Sequence, residues 1–236
     1  MTRSGLLILT VFLIAAAVCA RLAVWQLDRL HDRRASNAIA LAARAAPVVL
    51  LDAGAEDSGV VNRRVRATGH YDHDHDIVLR GKVYRGVPGV EIVSPLVLEG
   101  NTQTAVLVNR GFVPAPDAVT LDPTILQEPG RQTVEGIALP VDTANGMPLR
   151  RGPRTTWARL DRHALGAQLP YRLYPFYIRQ TPDTGSAGFP RRLDPPMLND
   201  GPHLNYAIQW FAFAGMALVF GGIMARLKRG NHPAAR

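Results

Sequence analysis

One cysteine stands in 236 residues, and it lies inside an apolar run. Cys19 alone excludes an intramolecular disulfide and any thiolate metal site built within one chain. Catalytic signatures are missing too: there is no Gly-x-Ser-x-Gly, no His-Glu-x-x-His and no phosphate loop. A thiol nucleophile is not expected in an apolar segment, and the carboxylates fall in no paired spacing that suggests acid–base work. No block of Lys and Arg interleaved with aromatics occurs in the middle of the chain. The formal charge of +8 therefore does not point to nucleic acid. There is no internal repeat. The chain is expected not to be an enzyme.

What is present is apolar at both ends. Residues 4–20 carry no charge, and Leu22, Ala23, Val24 and Trp25 extend the run past Arg21, whose long side chain can snorkel. At the other end the chain reads His203-Leu204-Asn205-Tyr206-Ala207-Ile208-Gln209-Trp210-Phe211. It continues uncharged to Ala225 and stops at Arg226-Leu227-Lys228-Arg229. That second run is long enough to span a bilayer; the first is at the short end. A cleaved signal peptide ending near Val18-Cys19-Ala20 is the alternative for the first run. By the positive-inside rule, Arg226, Lys228 and Arg229 place the C-terminus in the cytoplasm, so two spans place the N-terminus there too. Around the first run the count points the other way, since Arg21, Arg29, Arg33 and Arg34 follow it.

The expected architecture is a membrane protein. Two transmembrane α-helices, N- and C-terminal, flank a mostly antiparallel β extracytoplasmic domain with a short helix. Residues 1–27 form the first span with an interfacial extension, 28–199 the β-rich domain and linker, 203–227 the second span and 228–236 a cytoplasmic tail. Residues 25–46 read as a helical extension ending before Pro47. Short segments of β character follow, separated by Gly and Pro. Strands are expected at 64–71, 76–79, 90–98, 104–113, 132–139, 156–160 and 175–179, closing a barrel or curled sheet. The run 106–113 is the central one. A helix is expected over 161–168 with Asp161 as its cap. Residues 185–196 read as an irregular linker, and 230–236 as a disordered tail.

Three constellations could carry chemistry. His203 opens the second span, with Tyr206 and Trp210 on its helical face. A histidine there can ligate haem iron, or can simply be an interfacial residue beside the aromatic belt. The run His70-Tyr71-Asp72-His73-Asp74-His75-Asp76, read as a strand, places His73 and His75 on one face. That suits a metal such as copper, while the three alternating aspartates equally suit a solvated turn or strand edge. Trp25-Gln26-Leu27-Asp28-Arg29 closes the first span, where Trp25 and Arg29 can stack and the arginine can meet propionates or lipid phosphates.

Three stretches together resemble the Surfeit locus protein 1 family of cytochrome c oxidase assembly factors, in its actinobacterial-like form. They are Trp25-Gln26-Leu27-Asp28-Arg29, the pair Gly86–Leu98 and Val106-Leu107-Val108-Asn109-Arg110-Gly111-Phe112-Val113-Pro114, and the segment opening at His203. The resemblance covers nearly the whole chain, although Ala23 stands where the family often has glycine. It implies a plasma-membrane protein that assists insertion of haem a into oxidase subunit I, with subunit I, the haem a synthesis enzyme and the lipid bilayer as partners. It also implies His203 as the iron ligand, with Tyr206, Trp210, Trp25, Gln26 and Arg29 around the cofactor. The alternative within the same family is a cofactor-free scaffold for assembly intermediates.

Overall fold

The computed structural model describes residues 3–52, 59–100, 103–141, 143, 146–151, 154–182 and 188–230. The tail beyond residue 230, and residues 185–187 of the expected linker, lie outside that set. The chain divides into two compact units: residues 1–39 with 198–236, and residues 40–197.

The first unit is a helix pair. α1 (Arg3–Ala45) has 43 residues, a length of roughly 65 Å, about twice a hydrocarbon core. No proline or glycine interrupts it after Gly5, so it continues through the alanine-rich stretch to Ala45 and stops ahead of Pro47. α3 (His203–Gly230) follows a turn at Gly201–Pro202. Both helices are long and apolar enough to cross a membrane. They run antiparallel: Arg34 Nε reaches Asp200 Oδ2 at 2.8 Å, and Asn37 Nδ2 donates to the Asn199 carbonyl at 3.0 Å. Farther along, a Cβ on Gly221 would come 2.6 Å from Phe12 Cβ.

Six of the buried positions of the pair recur every seven residues: Ala16, Ala23 and Leu30 on α1, and Ala207, Ala214 and Gly221 on α3. Five of these six are Ala or Gly. Two helices have no hydrophobic drive to associate in lipid, so close backbone approach through small residues supplies the packing. That heptad spacing keeps the seam on one side from Ala16 to Leu30 and from Ala207 to Gly221.

The second unit is a β-barrel with added strands. Its strands are β1 (Val49–Leu51), β2 (Arg64–Tyr71), β3 (Ile77–Tyr84), β4 (Val87–Leu98), β5 (Thr104–Pro114), β6 (Arg131–Pro140), β7 (Leu149–Arg151), β8 (Arg154–Trp157) and β9 (Arg172–Gln180). The order β2-β6-β9-β5-β4 closes into a ring because β2 also pairs with β4 at Gly69–Leu98, His70–Val97 and Tyr71–Leu96. β1 extends the ring beside β2, and β3, β8 and β7 extend it beside β4. Six pairings are antiparallel; β1–β2, β3–β8 and β5–β9 are parallel.

Alternation along the strands decides what faces where. Val65, Ala67, Leu96, Val106, Val108, Val134, Ala138, Phe176 and Ile178 come from all five ring strands and form the barrel interior. The intervening residues Leu107, Ala105, Val93, Leu79 and Leu173 face outward. There Trp157, Leu160, Leu165 and Tyr171 cover them, so the segment β7–β8–α2 acts as a lid on one wall. α2 (Arg162–Gly166) begins where Asp161 accepts the backbone N–H groups of His163 and Ala164, the expected cap.

One open sequence reading is settled and one expectation is corrected. Residues 73–75 form a single 3-10 turn, so of the two readings of the histidine run the turn holds, and His73 and His75 do not share a strand face. Asp72 and Asp76 accept the histidine side chains across that turn, a local alternative to ladder bonds. The strand expected at 156–160 ends at Trp157, and Asp161 then turns the chain into α2. β1 and β7, three residues each, were too short to show a period.

β5 bends at Gly111, which has φ +127° and sits at a register shift in its pairing with β4. A Cβ there would lie 2.1 Å from the Arg191 carbonyl oxygen, because residue 191 bridges to Phe112 as an extra strand position. Gly111→Ala is expected to destabilise the protein by about 3 kcal/mol, from strain and displacement of that bridge. Gly166→Ala, with nothing within 4 Å of the new carbon, is expected to stay within about 0.5 kcal/mol of the parent. Denaturant midpoints of the two variants in the same detergent check the difference.

Candidate functional site

The helix pair brings two of the sequence-selected residues into contact. His203 Nδ1 lies 2.8 Å from Gln26 Oε1, across the seam between α3 and α1. With the amide oxygen as acceptor, Nδ1 carries the proton, so in the neutral ring Nε2 keeps its lone pair. A histidine whose other nitrogen is already held in this way has the tautomer and the fixed ring that a metal ligand needs. Gly201, with φ +70°, stands beside the same edge of the ring. A Cβ there would be 3.4 Å from Cδ2 and 3.6 Å from Nε2, so glycine leaves that side open. An imidazole held in this way would fit haem iron as a nitrogen ligand.

The other selected residues are placed differently. Trp210 is half-buried on the seam side of α3 and meets Phe213 edge-to-face at 5.8 Å. Trp25 and Tyr206 are each 46% exposed and point away from the seam. Arg29 is exposed and pairs with Asp32 at 3.6 Å. In lipid such exposed rings suit the interfacial belt, or a surface offered to a partner.

A second constellation, in the β unit, was not foreseen. Arg110 is fully buried at the end of the barrel. Its Nη1 donates to Ser94 Oγ at 3.2 Å and lies 3.9 Å from Asp76 Oδ2. Its Nη2 donates to Glu128 Oε1 at 2.8 Å and to the Leu126 carbonyl. The guanidinium sits 5.0 Å from the centre of the Tyr71 ring. Arg192 adds a bond to Glu128 Oε1 at 2.7 Å and one to the Arg110 carbonyl. Ser94 in turn donates to Asp76. Two loops and the linker are thus tied to one strand by charge-assisted bonds. The signal in the sequence is the single charge in the apolar run 105–113 of β5.

The histidine run is absorbed by the same knot. His73 Nδ1 donates to Asp76 Oδ2 at 3.1 Å, and its Nε2 accepts the Glu128 N–H at 3.0 Å. His75 Nδ1 is 2.8 Å from Asp72 Oδ2, which also accepts from Tyr171 Oη at 3.2 Å. His70 lies exposed on β2 opposite Arg131. The three imidazoles do not converge, and no group of three metal-ligating side chains occurs among the described residues.

Titration in the knot is set by burial and by the arginines. Burial raises Asp76 above its ordinary value of 3.8, partly offset by Ser94 and His73. Burial also acts on Glu128, but the bonds from Arg110 and Arg192 outweigh it and hold the carboxyl below 4.5. Tyr71 and Tyr171 are both pushed up, by burial first, then by Glu128 and Asp72 respectively.

These groups generate two linked predictions. Arg110→Met leaves the buried Asp76 without its arginine and Glu128 with Arg192 alone, and is expected to cost about 3–5 kcal/mol. Glu128 has a lowered folded value, so its contribution is full above 4.5 and is lost as the pH falls through that lower value. Asp76 works in the opposite sense: its cost is present at neutral pH and fully relieved below 3.8. Glu128→Gln should therefore flatten the acid limb of the stability–pH curve, and Asp76→Asn should steepen it. Denaturant midpoints between pH 3 and 7 provide the measurement.

Comparison with known proteins agrees with the three motif stretches. The model of the SURF1 family matches residues 13–215. A SURF1-like protein of Monosiga brevicollis is 26% identical over 185 residues, covering 73% of this chain and 69% of that protein. A SURF1-like protein of Mycobacterium tuberculosis is 32% identical over 168 residues, covering 69% of this chain and 59% of its own length. One from Rickettsia felis is 25% identical over 222 residues, covering 92% of this chain and 96% of that protein.

Proposed function

The chain belongs to the SURF1 family, and we propose that it is an assembly factor for haem-copper cytochrome c oxidase that binds haem a and assists its insertion into subunit I. It acts as a carrier, not a catalyst. The observation that carries this reading is the bond between His203 Nδ1 and Gln26 Oε1, which fixes the ring and leaves Nε2 free. His203 would supply a nitrogen ligand to the iron, Trp210 an aromatic wall, and Arg29 or Arg21 a cation for the propionates. Bound iron-porphyrin would supply the cofactor of the recipient enzyme and no reaction in this protein. Gln26 holds the imidazole proton at Nδ1.

In this reading α1 and α3 cross the plasma membrane, both termini are cytoplasmic, and the β unit is extracytoplasmic. Arg226, Lys228 and Arg229 support the cytoplasmic C-terminus. Partners are subunit I, the haem a synthesis enzyme and the surrounding lipid. A cofactor-free scaffold is the second reading. It draws on the exposure of Trp25 and Tyr206, which leaves their rings available to a partner helix.

The test is an absorption spectrum of the detergent-purified protein co-expressed with the haem a synthesis enzymes. The parent is expected to carry haem a, His203→Ala to lose it, and Gln26→Leu to retain less. If parent and variants are all folded and free of haem while oxidase assembly still depends on the protein, the scaffold reading replaces the carrier.

A further inference from the structure

Where the β7–β8–α2 lid ends, the outer wall of the barrel changes from apolar to charged. Leu79, Glu91, Asn109 and Arg179 follow one another across β3, β4, β5 and β9, linked by the registers Leu79–Glu91 and Asn109–Arg179. Beyond them lies a cleft of about 200 Å³, with Lys82 on one side, Arg159 at the lid and Tyr177 below. Three cations and one carboxylate line it.

The carboxylate is already occupied. Asn109 Nδ2 donates to Glu91 Oε2 at 2.7 Å, and Arg179 Nη2 lies 3.8 Å from Oε1. Asn109 is itself fixed, since its Oδ1 accepts the Gly111 N–H at 3.0 Å. Glu91 therefore balances Arg179 and leaves Lys82 and Arg159 with no anion among the described residues. Arg179 keeps donors beyond its long contact with Glu91, since Nη2 lies 3.8 Å from that carboxylate. A guanidinium fork, a second guanidinium and an ammonium around a small polar cleft form a receptor for a tetrahedral or planar oxyanion.

We propose that this cleft binds a phosphate-type oxyanion through Lys82, Arg159 and Arg179. The source is either free phosphate or the headgroup of an anionic lipid. The site is separate from the His203–Gln26 pair and does not rest on haem binding.

Lys82 gives a direct readout, because the chain contains only one other lysine, Lys228. Reductive methylation with 13C keeps the charge and places one NMR signal at each. The full chain, in nanodiscs of zwitterionic lipid, is titrated with inorganic phosphate. The Lys82 signal is expected to move and saturate, while the Lys228 signal does not follow it. Arg159→Gln should weaken the midpoint about tenfold, the value of one lost charge-assisted bond. Glu91→Gln should tighten it, because it removes the one negative charge among the described residues lining the cleft. Replacing part of the lipid with phosphatidylglycerol separates the sources. A lipid headgroup shifts Lys82 before phosphate is added, and a free oxyanion does not. A Lys82 signal that stays still under both phosphate and anionic lipid, or that moves identically in Arg159→Gln and the parent, overturns the proposal.

Discussion

The close seam between α1 and α3 is the constraint on which the functional geometry depends. Ala and Gly at heptad spacing let two helix backbones come near enough for a glutamine on one to hold a histidine on the other. Larger residues at Ala23 or Ala207, the buried positions nearest that contact, would push the helices apart. His203 would then be an ordinary interfacial histidine, free to rotate and to take either tautomer. The chemistry assigned to one imidazole is thus set by alanines that touch nothing reactive.

The β unit solves a different problem. A closed five-strand ring needs its end covered, and here the cover is polar and not apolar. Arg110 projects from the most buried strand and collects Ser94, Asp76, Glu128 and a backbone carbonyl. A buried arginine of this kind adds little net stability compared with an apolar plug, but its removal is costly because its partners are left charged. What it gives instead is definition. The 3-10 turn at His73–His75, the loop at Leu126–Glu128 and the linker at Arg192 each have one hydrogen-bonded place to go. The same burial that raises Asp76 and Tyr71 keeps water from competing for those bonds.

Much of the fold was legible in the sequence because its signals are periodic. Two uncharged runs gave the helices, alternation over 64–71 gave β2, and the apolar run over 104–113 gave β5 nearly to the residue. The cap at Asp161 was legible from its residue type and from the helical pattern that follows it. What could not be read was the product of pairing at a distance. The β2–β4 contacts that close the ring, and the parallel β5–β9 pairing, leave no local pattern. The histidine run stayed ambiguous because alternating His and Asp fits a strand face as well as a turn; only Asp76 and Glu128, coming from two sides, decide between them. At the candidate site, His203 and Gln26 were each selected from motifs, but their contact over 177 positions of sequence was not visible. Neither was the outward placement of Trp25, Tyr206 and Arg29, which depends on helix phase.

The central claim is that Gln26 fixes the His203 ring with its proton on Nδ1 and its lone pair on Nε2. The most direct measurement is the pair of 15N imidazole shifts of His203 in the full chain, in lipid nanodiscs at neutral pH. The account predicts a protonated Nδ1 and a bare Nε2 in the parent, and loss of that single tautomer in Gln26→Leu. A proton on Nε2 in the parent, or two averaged nitrogens unaffected by the Gln26 substitution, would contradict it.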